Sequence, residues 1–350
     1  MAPVTRELER QELDFFILHT GQHYSHNLDS VFFQELELPQ PKYNLEVGSG
    51  THAEETGKML IGIEKILLEE KSDVVLAEGD TNSVLAGALA AAKLHIKVGH
   101  VEAGLRSYDR NMPEELNRIL TDHLSDYLFA PTEKAKNILL GEGISEGRIF
   151  VTGNTIVDAV YQNLVLAQKK SQILDKLELK EREYFLVTAH RQENVDIKDR
   201  LKSILEGLRL VWHKFRLPLI YPIHPRAKRR IEEFGLGVPS GLKLIEPMGF
   251  VNFLALEANA ALILTDSGGV QEESCILKVP CVTLRDNTER PETLEVGSNI
   301  LAGANPSAIL NSVEKMLSTE RSWQNPFGNG QAGVRIVEAI YKSQKAEMQV

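Results

Sequence analysis

The 350-residue chain has little of what a metal, a membrane or a nucleic acid would need. Its two cysteines, Cys275 and Cys281 in CILKVPC, sit beside apolar residues, with neither metal-ligand spacing nor the number for a disulfide framework. Both read as buried packing residues, and no metal or redox cofactor is implied. No apolar run approaches the roughly 18 residues of a membrane span, and no export signal opens the chain, so a cytoplasmic protein without a membrane partner is expected. A net charge of −10 argues against a nucleic-acid partner, whose phosphates call for basic side chains. The chain also lacks a GxGxxG fingerprint, a Walker lysine and a Ser-His-Asp arrangement, which leaves NAD-dependent redox and ATP hydrolysis without support.

What is present is core. With 43% hydrophobic and 25% charged side chains the chain can fill about two domains. Strand-like runs recur, each followed by a helix-like stretch: FFILHTG, DVVLAEGD, IKVGHVEAG, YLFAPT and IFVTGN, then YFLVTAH, LPLIYPIHP, LKLIEP, ALILTDSGG and VPCVTL. Short β-rich runs alternating with amphipathic segments such as HAEETGKMLIGIEKILLEEK imply βαβ units and parallel sheets. The fold class is α/β, with two doubly wound Rossmann-like domains facing a cleft. The charged stretch KKSQILDKLELKERE precedes a fresh strand, so residues 1–165 and 183–330 are expected as domains, 166–182 as hinge, and 331–350 as a helix returning toward the first domain.

Ligands of such folds bind where loops leave the carboxyl ends of strands. In ALILTDSGGVQEES, Ser267, Gly268 and Gly269 follow a strand and open a helix near Val270, a turn whose N–H groups suit a diphosphate. Glu272 and Glu273, placed in the first helical turn, have a bland reading as helix-start acids; Glu273 also suits the hydroxyls of a ribose. His190 with Arg191, and His224 with Arg226, stand at two further strand ends, and such His-Arg pairs point to phosphate. Arg290, flanked by Glu289 and Glu292, reads equally as an ion-pair loop or a ligand clamp.

The first domain offers acids: Asp80 in GDTNS, Glu102 in GHVEAGLRS, and Glu114 with Glu115 in MPEELNR. Asp80 could be a helix N-cap and Pro113-Glu114-Glu115 an ordinary helix start. Glu102 has no evident helix end or ion partner. Three carboxylates on strand-end loops would make an acid/base set whose crowding moves their pKa values apart.

Together GDTNS, GHVEAGLRS, MPEELNR, GNTIVDA, HRQEN, IHPR, TDSGGVQEE, LRDNTERPE and NPFGNGQA resemble the non-hydrolysing UDP-N-acetylglucosamine 2-epimerase family, in its order and spacing. The resemblance implies the glycosyltransferase B-type architecture, a homodimer, no cofactor, and interconversion of UDP-N-acetylglucosamine and UDP-N-acetylmannosamine through 2-acetamidoglucal. It implies that Asp80, Glu102 and Glu114 are the catalytic carboxylates and that His190 helps UDP leave. Ser267, Gly268, Gly269, Glu273, Arg290, Arg118 and Phe253 would contact the substrate, Phe253 at the uracil. Gln22, His23, Arg191 and His224 would form an effector site for a second UDP-sugar, although Tyr24-Ser25 depart from the common pattern.

Members of that family begin with a strand, a GTRPE-type loop and a lysine ahead of a segment like MAPV. From this we expect a start upstream of Met1, and lower stability and activity for the chain as given. Rival readings are a hydrolysing epimerase, a B-type glycosyltransferase, and a truncated UDP-sugar-binding homologue without activity.

Overall fold

A computed structural model describes residues 1–21 and 33–347. The chain divides into two compact units, Met1–Ala159 with Phe327–Val350, and Val160–Pro326. The division falls inside the helix Thr155–Lys170. The stretch 166–182, expected as a hinge, is not an open linker: Ile173, Leu174, Leu177 and Leu179 emerge from among its charges and pack on the core of the second unit.

The first unit holds a two-stranded parallel sheet, β1 (Leu18–His19) with β2 (Tyr43–Asn44). A four-stranded parallel sheet follows in sequence order: β3 (Val74–Glu78), β4 (Lys97–Val101), β5 (Tyr127–Ala130) and β6 (Ile149–Val151). Alternate side chains divide between its faces. Val75 and Val98 join the helices His52–Glu70 and Asn82–Lys93 through Met59, Ile63, Leu67 and Ala90. Leu76, Val101, Tyr127 and Phe129 meet Val4, Ile336, Val337 and Ile340, from the helices Ala2–Arg10 and Ala332–Glu347. MAPVTRELER therefore forms a helix over Ala2–Arg10 that buries Val4 fully and packs Leu8 against the same core. His52–Glu70 starts at a capping box: the Glu54 N–H donates to Thr51 Oγ1 (3.3 Å) while the Thr51 N–H donates to the Glu54 carboxylate (3.0 Å).

The second unit is a six-stranded parallel sheet of β7 (Phe185–Thr188), β8 (Leu219–Pro222), β9 (Leu242–Ile245), β10 (Leu262–Thr265), β11 (Cys281–Thr283) and β12 (Asn299–Leu301), in the order β9-β8-β7-β10-β11-β12. From β7 the chain winds outward through β8 and β9, then returns to lay β10, β11 and β12 on the other side of β7. This is the doubly wound Rossmann order, and its switch point lies between β7 and β10. The central strands are buried on both faces: Phe185, Val187, Leu262 and Leu264 belong to one core layer, Leu186 and Ile263 to the other. That explains their near-continuous apolar sequence. The α/β class and parallel sheets stand as expected. FFILHTG yields only the two residues of β1, and β2 and β12 were not anticipated because such short runs carry too little periodicity.

Candidate functional site

In the first unit Asp80 and Glu102 lie at the carboxyl ends of β3 and β4, while Glu114 and Glu115 open a helix. Gly79 ends β3 with φ +87°, turning the chain so that Asp80 follows in a loop. Thr81, not Asp80, is the N-cap of the helix Asn82–Lys93, which corrects the capping reading. Asp80 instead receives Arg118 on one carboxylate oxygen, from Nε (3.0 Å) and Nη2 (2.7 Å), and its carbonyl accepts Asn117 Nδ2 (2.9 Å).

Glu102 follows β4 with φ +72°, a left-handed backbone that glutamate avoids. Such strain costs about 1–3 kcal/mol and persists where surrounding structure imposes it. Its carboxylate lies over Gly79: a Cβ there would stand 3.8 Å from Glu102 Oε2. Glycine at 79 therefore serves both the turn and the approach of Glu102 to the loop that carries Asp80.

Glu114 and Glu115, adjacent in sequence, part company on the helix Pro113–Leu124. Glu115 is buried and accepts the Ser107 N–H (2.9 Å), the Tyr108 N–H (2.9 Å) and Arg118 Nη1 (2.8 Å). Burial pushes its pKa up, but the two N–H groups and Arg118 outweigh that and hold it below the ordinary carboxylate range. Glu115 is thus an anchor for the loop 107–108. Glu114 is exposed in the first turn, one turn before Arg118 on the same face.

In the second unit the residues singled out at the ends of β7 and β10 meet at the switch point through Asp266, which stands in the TDSGG turn but is not among the expected site residues. Asp266 is fully buried and accepts the N–H groups of His190 and Arg191 (3.0 Å each), Asn194 Nδ2 (3.0 Å) and His190 Nδ1 (3.1 Å). Burial raises its pKa, yet the donors from His190 and Asn194 prevail and lower it. An ionised Asp266 requires the hydrogen of His190 on Nδ1, leaving Nε2 for a ligand. The signal in the sequence was a lone acid closing the apolar strand LILT.

Ser267 caps the helix Gly268–Ile276, its Oγ accepting the Val270 N–H (3.5 Å). The helix starts two residues before the expected Val270, so Glu272 and Glu273 lie beyond the first turn and are buried; the helix-start reading fails for both. Glu272 pairs with Arg290 (2.9 Å), whose Cγ would stand 4.0 Å from a Cβ on Gly268. Arg290 therefore sits over the glycine turn, while its neighbour Glu289 pairs with Arg285 (2.7 Å). Arg290 thus forms an ion pair, as the loop reading allowed, but with a partner on the helix Gly268–Ile276 and beside its glycine turn.

The rings of His190 and His224 are 6.1 Å apart. Burial, then the charges of His190 and Arg226, lower the pKa of His224. Arg191 Nε is buried with no hydrogen-bond partner among the described residues. Arg226 is committed to Asp196, so the second His-Arg pair does not act as a pair. Gln22 and His23 lie outside the described residues.

Phe253 and Glu257 stand one turn apart on the helix Phe250–Asn259, which packs on Gly268–Ile276. Fully buried Glu257 meets Glu273 and has no other hydrogen-bond partner among the described residues. Burial raises the pKa of both; that of Glu273 reaches about 7, with the charge of Glu272 adding to burial and the hydrogen bond to Glu257 opposing it. Among the described residues no group of three or more His, Cys, Asp or Glu could hold a metal ion, and no helix is long and apolar enough to cross a membrane.

A doubly wound sheet with a capped glycine turn at its switch point defines a nucleotide-binding class of α/β protein. The particular family follows from known proteins. A profile of the UDP-N-acetylglucosamine 2-epimerase family matches residues 6–341. The chain is 60% identical to the UDP-N-acetylglucosamine 2-epimerase of Methanocaldococcus jannaschii, over 97% of this chain and 94% of that protein. It is 42% identical to the UDP-2,3-diacetamido-2,3-dideoxy-D-glucuronate 2-epimerase of Pseudomonas aeruginosa, over 96% and 93%. The crystal structure of the M. jannaschii enzyme with UDP-GlcNAc and UDP superposes with a TM-score of 0.88, covering 97% of this chain and 95% of that one. That of the Neisseria meningitidis enzyme bound to UDP-GlcNAc gives 0.87 at 34% identity, over 98% and 96%. The chain belongs to the UDP-N-acetylglucosamine 2-epimerase family and is an isomerase.

The raised pKa of Glu273 sets a pH dependence. A carboxyl raised on folding contributes its stability fully below its ordinary value near 4.5 and loses it as pH rises through about 7. Denaturant unfolding should show a loss on the order of 3 kcal/mol between those pH values that Glu273→Gln removes; parallel pH profiles for the two proteins would contradict it.

Proposed function

We propose that the chain interconverts UDP-N-acetylglucosamine and UDP-N-acetylmannosamine, with Asp80, Glu102 and Glu114 as its acid/base groups. The observation that carries this reading is the gathering of Asp80 and Glu102 around Gly79, with Arg118 joining Asp80 to the helix that bears Glu114. In the forward direction a carboxylate removes the C2 proton; the C–H electron pair forms the C1–C2 double bond, and the C1–O bond breaks with its pair leaving on UDP. The 2-acetamidoglucal then takes back UDP at C1 and a proton at C2 on the opposite face. Two faces call for two proton-transfer groups, which one carboxylate could not supply.

The second unit holds UDP. Ser267, Gly268 and Gly269 present N–H groups to the diphosphate, with Arg290 beside them. His190, its Nδ1 fixed by Asp266, donates from Nε2 to the leaving oxygen, which requires the doubly protonated ring that the Asp266 carboxylate favours. Glu273 takes the ribose hydroxyls and Phe253 meets the uracil. Arg191 and His224 belong to the neighbouring effector position, where the unpartnered Arg191 Nε and the exposed His224 ring would meet an anion. The reaction as written needs no resident metal or redox group, and we place it in the cytoplasm, with other sugar-nucleotide chemistry.

Asp80→Asn, Glu102→Gln and Glu114→Gln should each lower kcat by at least about 100-fold while leaving the Kd for UDP unchanged; full turnover by any one removes that residue from the mechanism. We further propose a homodimer. Ile61 and Leu68 on His52–Glu70, and Leu116 and Leu120 on Pro113–Leu124, are exposed apolar residues on helices that both pack on Asn82–Lys93. Ile61→Glu with Leu120→Glu should turn a dimer into a monomer by light scattering; an unchanged mass would place the interface elsewhere.

A further inference from the structure

His100 lies inside β4, fully buried, and takes no part in the chemistry so far described. Its Nδ1 is 2.6 Å from Asp122 Oδ1 and its Nε2 is 2.8 Å from the carbonyl oxygen of Gly79. A carbonyl oxygen only accepts, so Nε2 must carry a hydrogen. Asp122, also fully buried, is held as an acceptor by two other donors on its second oxygen, the Gly104 N–H (3.2 Å) and Arg106 Nη1 (2.7 Å). Nδ1 must then carry a hydrogen as well, since a neutral ring would set a lone pair against the carboxylate.

Arg106, its side chain 1% exposed, also forms a two-armed pair with Glu142, at 2.8 and 2.6 Å. Glu142 reaches solvent, its side chain 28% exposed, and also faces His123 at 3.9 Å. A doubly protonated His100 therefore sets a second cation beside Arg106 on the buried Asp122.

The network joins the segments that carry the proposed acids. The ring holds Gly79, next to Asp80 and beneath Glu102. Asp122 holds Gly104, two residues after Glu102, and belongs to the helix that bears Glu114. Gly104 has φ +82°, and a Cβ there would stand 2.5 Å from the carbonyl oxygen of Ala135, so Glu102 is gripped on its C-terminal side too.

We propose that His100 is a positioning residue, a buried imidazolium whose two N–H groups tie Gly79 to Asp122 and so hold Asp80, Glu102 and the helix of Glu114 in register. The proposal rests on the acid/base reading of those carboxylates. His100→Leu fills the space without donors and should lower kcat about 100-fold by misplacing the acids, with the Kd for UDP unchanged because UDP binds the other unit. His100→Gln, which keeps one donor end, should fall between the two. Wild-type kcat in a folded His100→Leu protein overturns the proposal, as does a weakening of UDP binding that accounts for the whole loss.

Nitrogen NMR of the histidine-labelled enzyme tests the ring without any variant at position 100. In the His190→Gln background, which removes the other Asp-paired histidine among the described residues, one imidazole should show both ring nitrogens protonated at about pH 7.5, where a free ring is neutral. Absence of such a ring overturns the proposal even if the Leu variant fails to fold. Full turnover by Asp80→Asn or Glu102→Gln would sink the acid/base reading alone, and the nitrogen signal then decides whether His100 is an imidazolium.

Discussion

One buried aspartate in each unit, Asp122 in the first and Asp266 in the second, holds the loops that carry that unit's candidate residues. A parallel sheet leaves its strand ends as separate loops, with no hairpin to join neighbours. Each aspartate supplies the missing connection by accepting donors from segments far apart in sequence. Asp122 collects His100, Gly104 and Arg106; Asp266 collects His190, Arg191 and Asn194. A buried carboxylate with this many donors is worth keeping ionised, and losing one donor would leave the remainder of the charge uncompensated.

Around these anchors the two units do different electrostatic work. In the first, negative groups are set close together and one of them, Glu102, is held in a backbone conformation it would not choose. Arg118 tempers the crowding by taking both Asp80 and Glu115. In the second, the capped N-terminus of Gly268–Ile276, Arg290 and His190 are the groups proposed to face the diphosphate, while burial raises the pKa of both Glu257 and Glu273.

Much of this was legible in the sequence because the strands are buried on both faces and read as apolar runs, and because glycine and acidic residues cluster where those runs end. Ten strand-like runs contain strands, and Asp80 and Glu102 lie at strand ends, whereas Glu114 stands in the first turn of a helix. What stayed hidden was pairing. Arg290 is flanked in sequence by Glu289 and Glu292 yet finds Glu272 on another helix. Arg226 resembles a phosphate ligand until Asp196 is seen beside it. His100 and Asp266 sit in apolar stretches that look like core, and only the folded arrangement shows the donors and acceptors that surround them. Short elements such as β2 and β12 owe their existence to their neighbours more than to their own composition.

The central claim is that separate carboxylates remove and return the C2 proton on opposite faces of the sugar. Turnover of UDP-N-acetylglucosamine in D2O tests it most directly. Because the proton returned comes from a different group, in exchange with solvent, the account predicts UDP-N-acetylmannosamine carrying deuterium at C2. Product that retains the original hydrogen at C2 would contradict it.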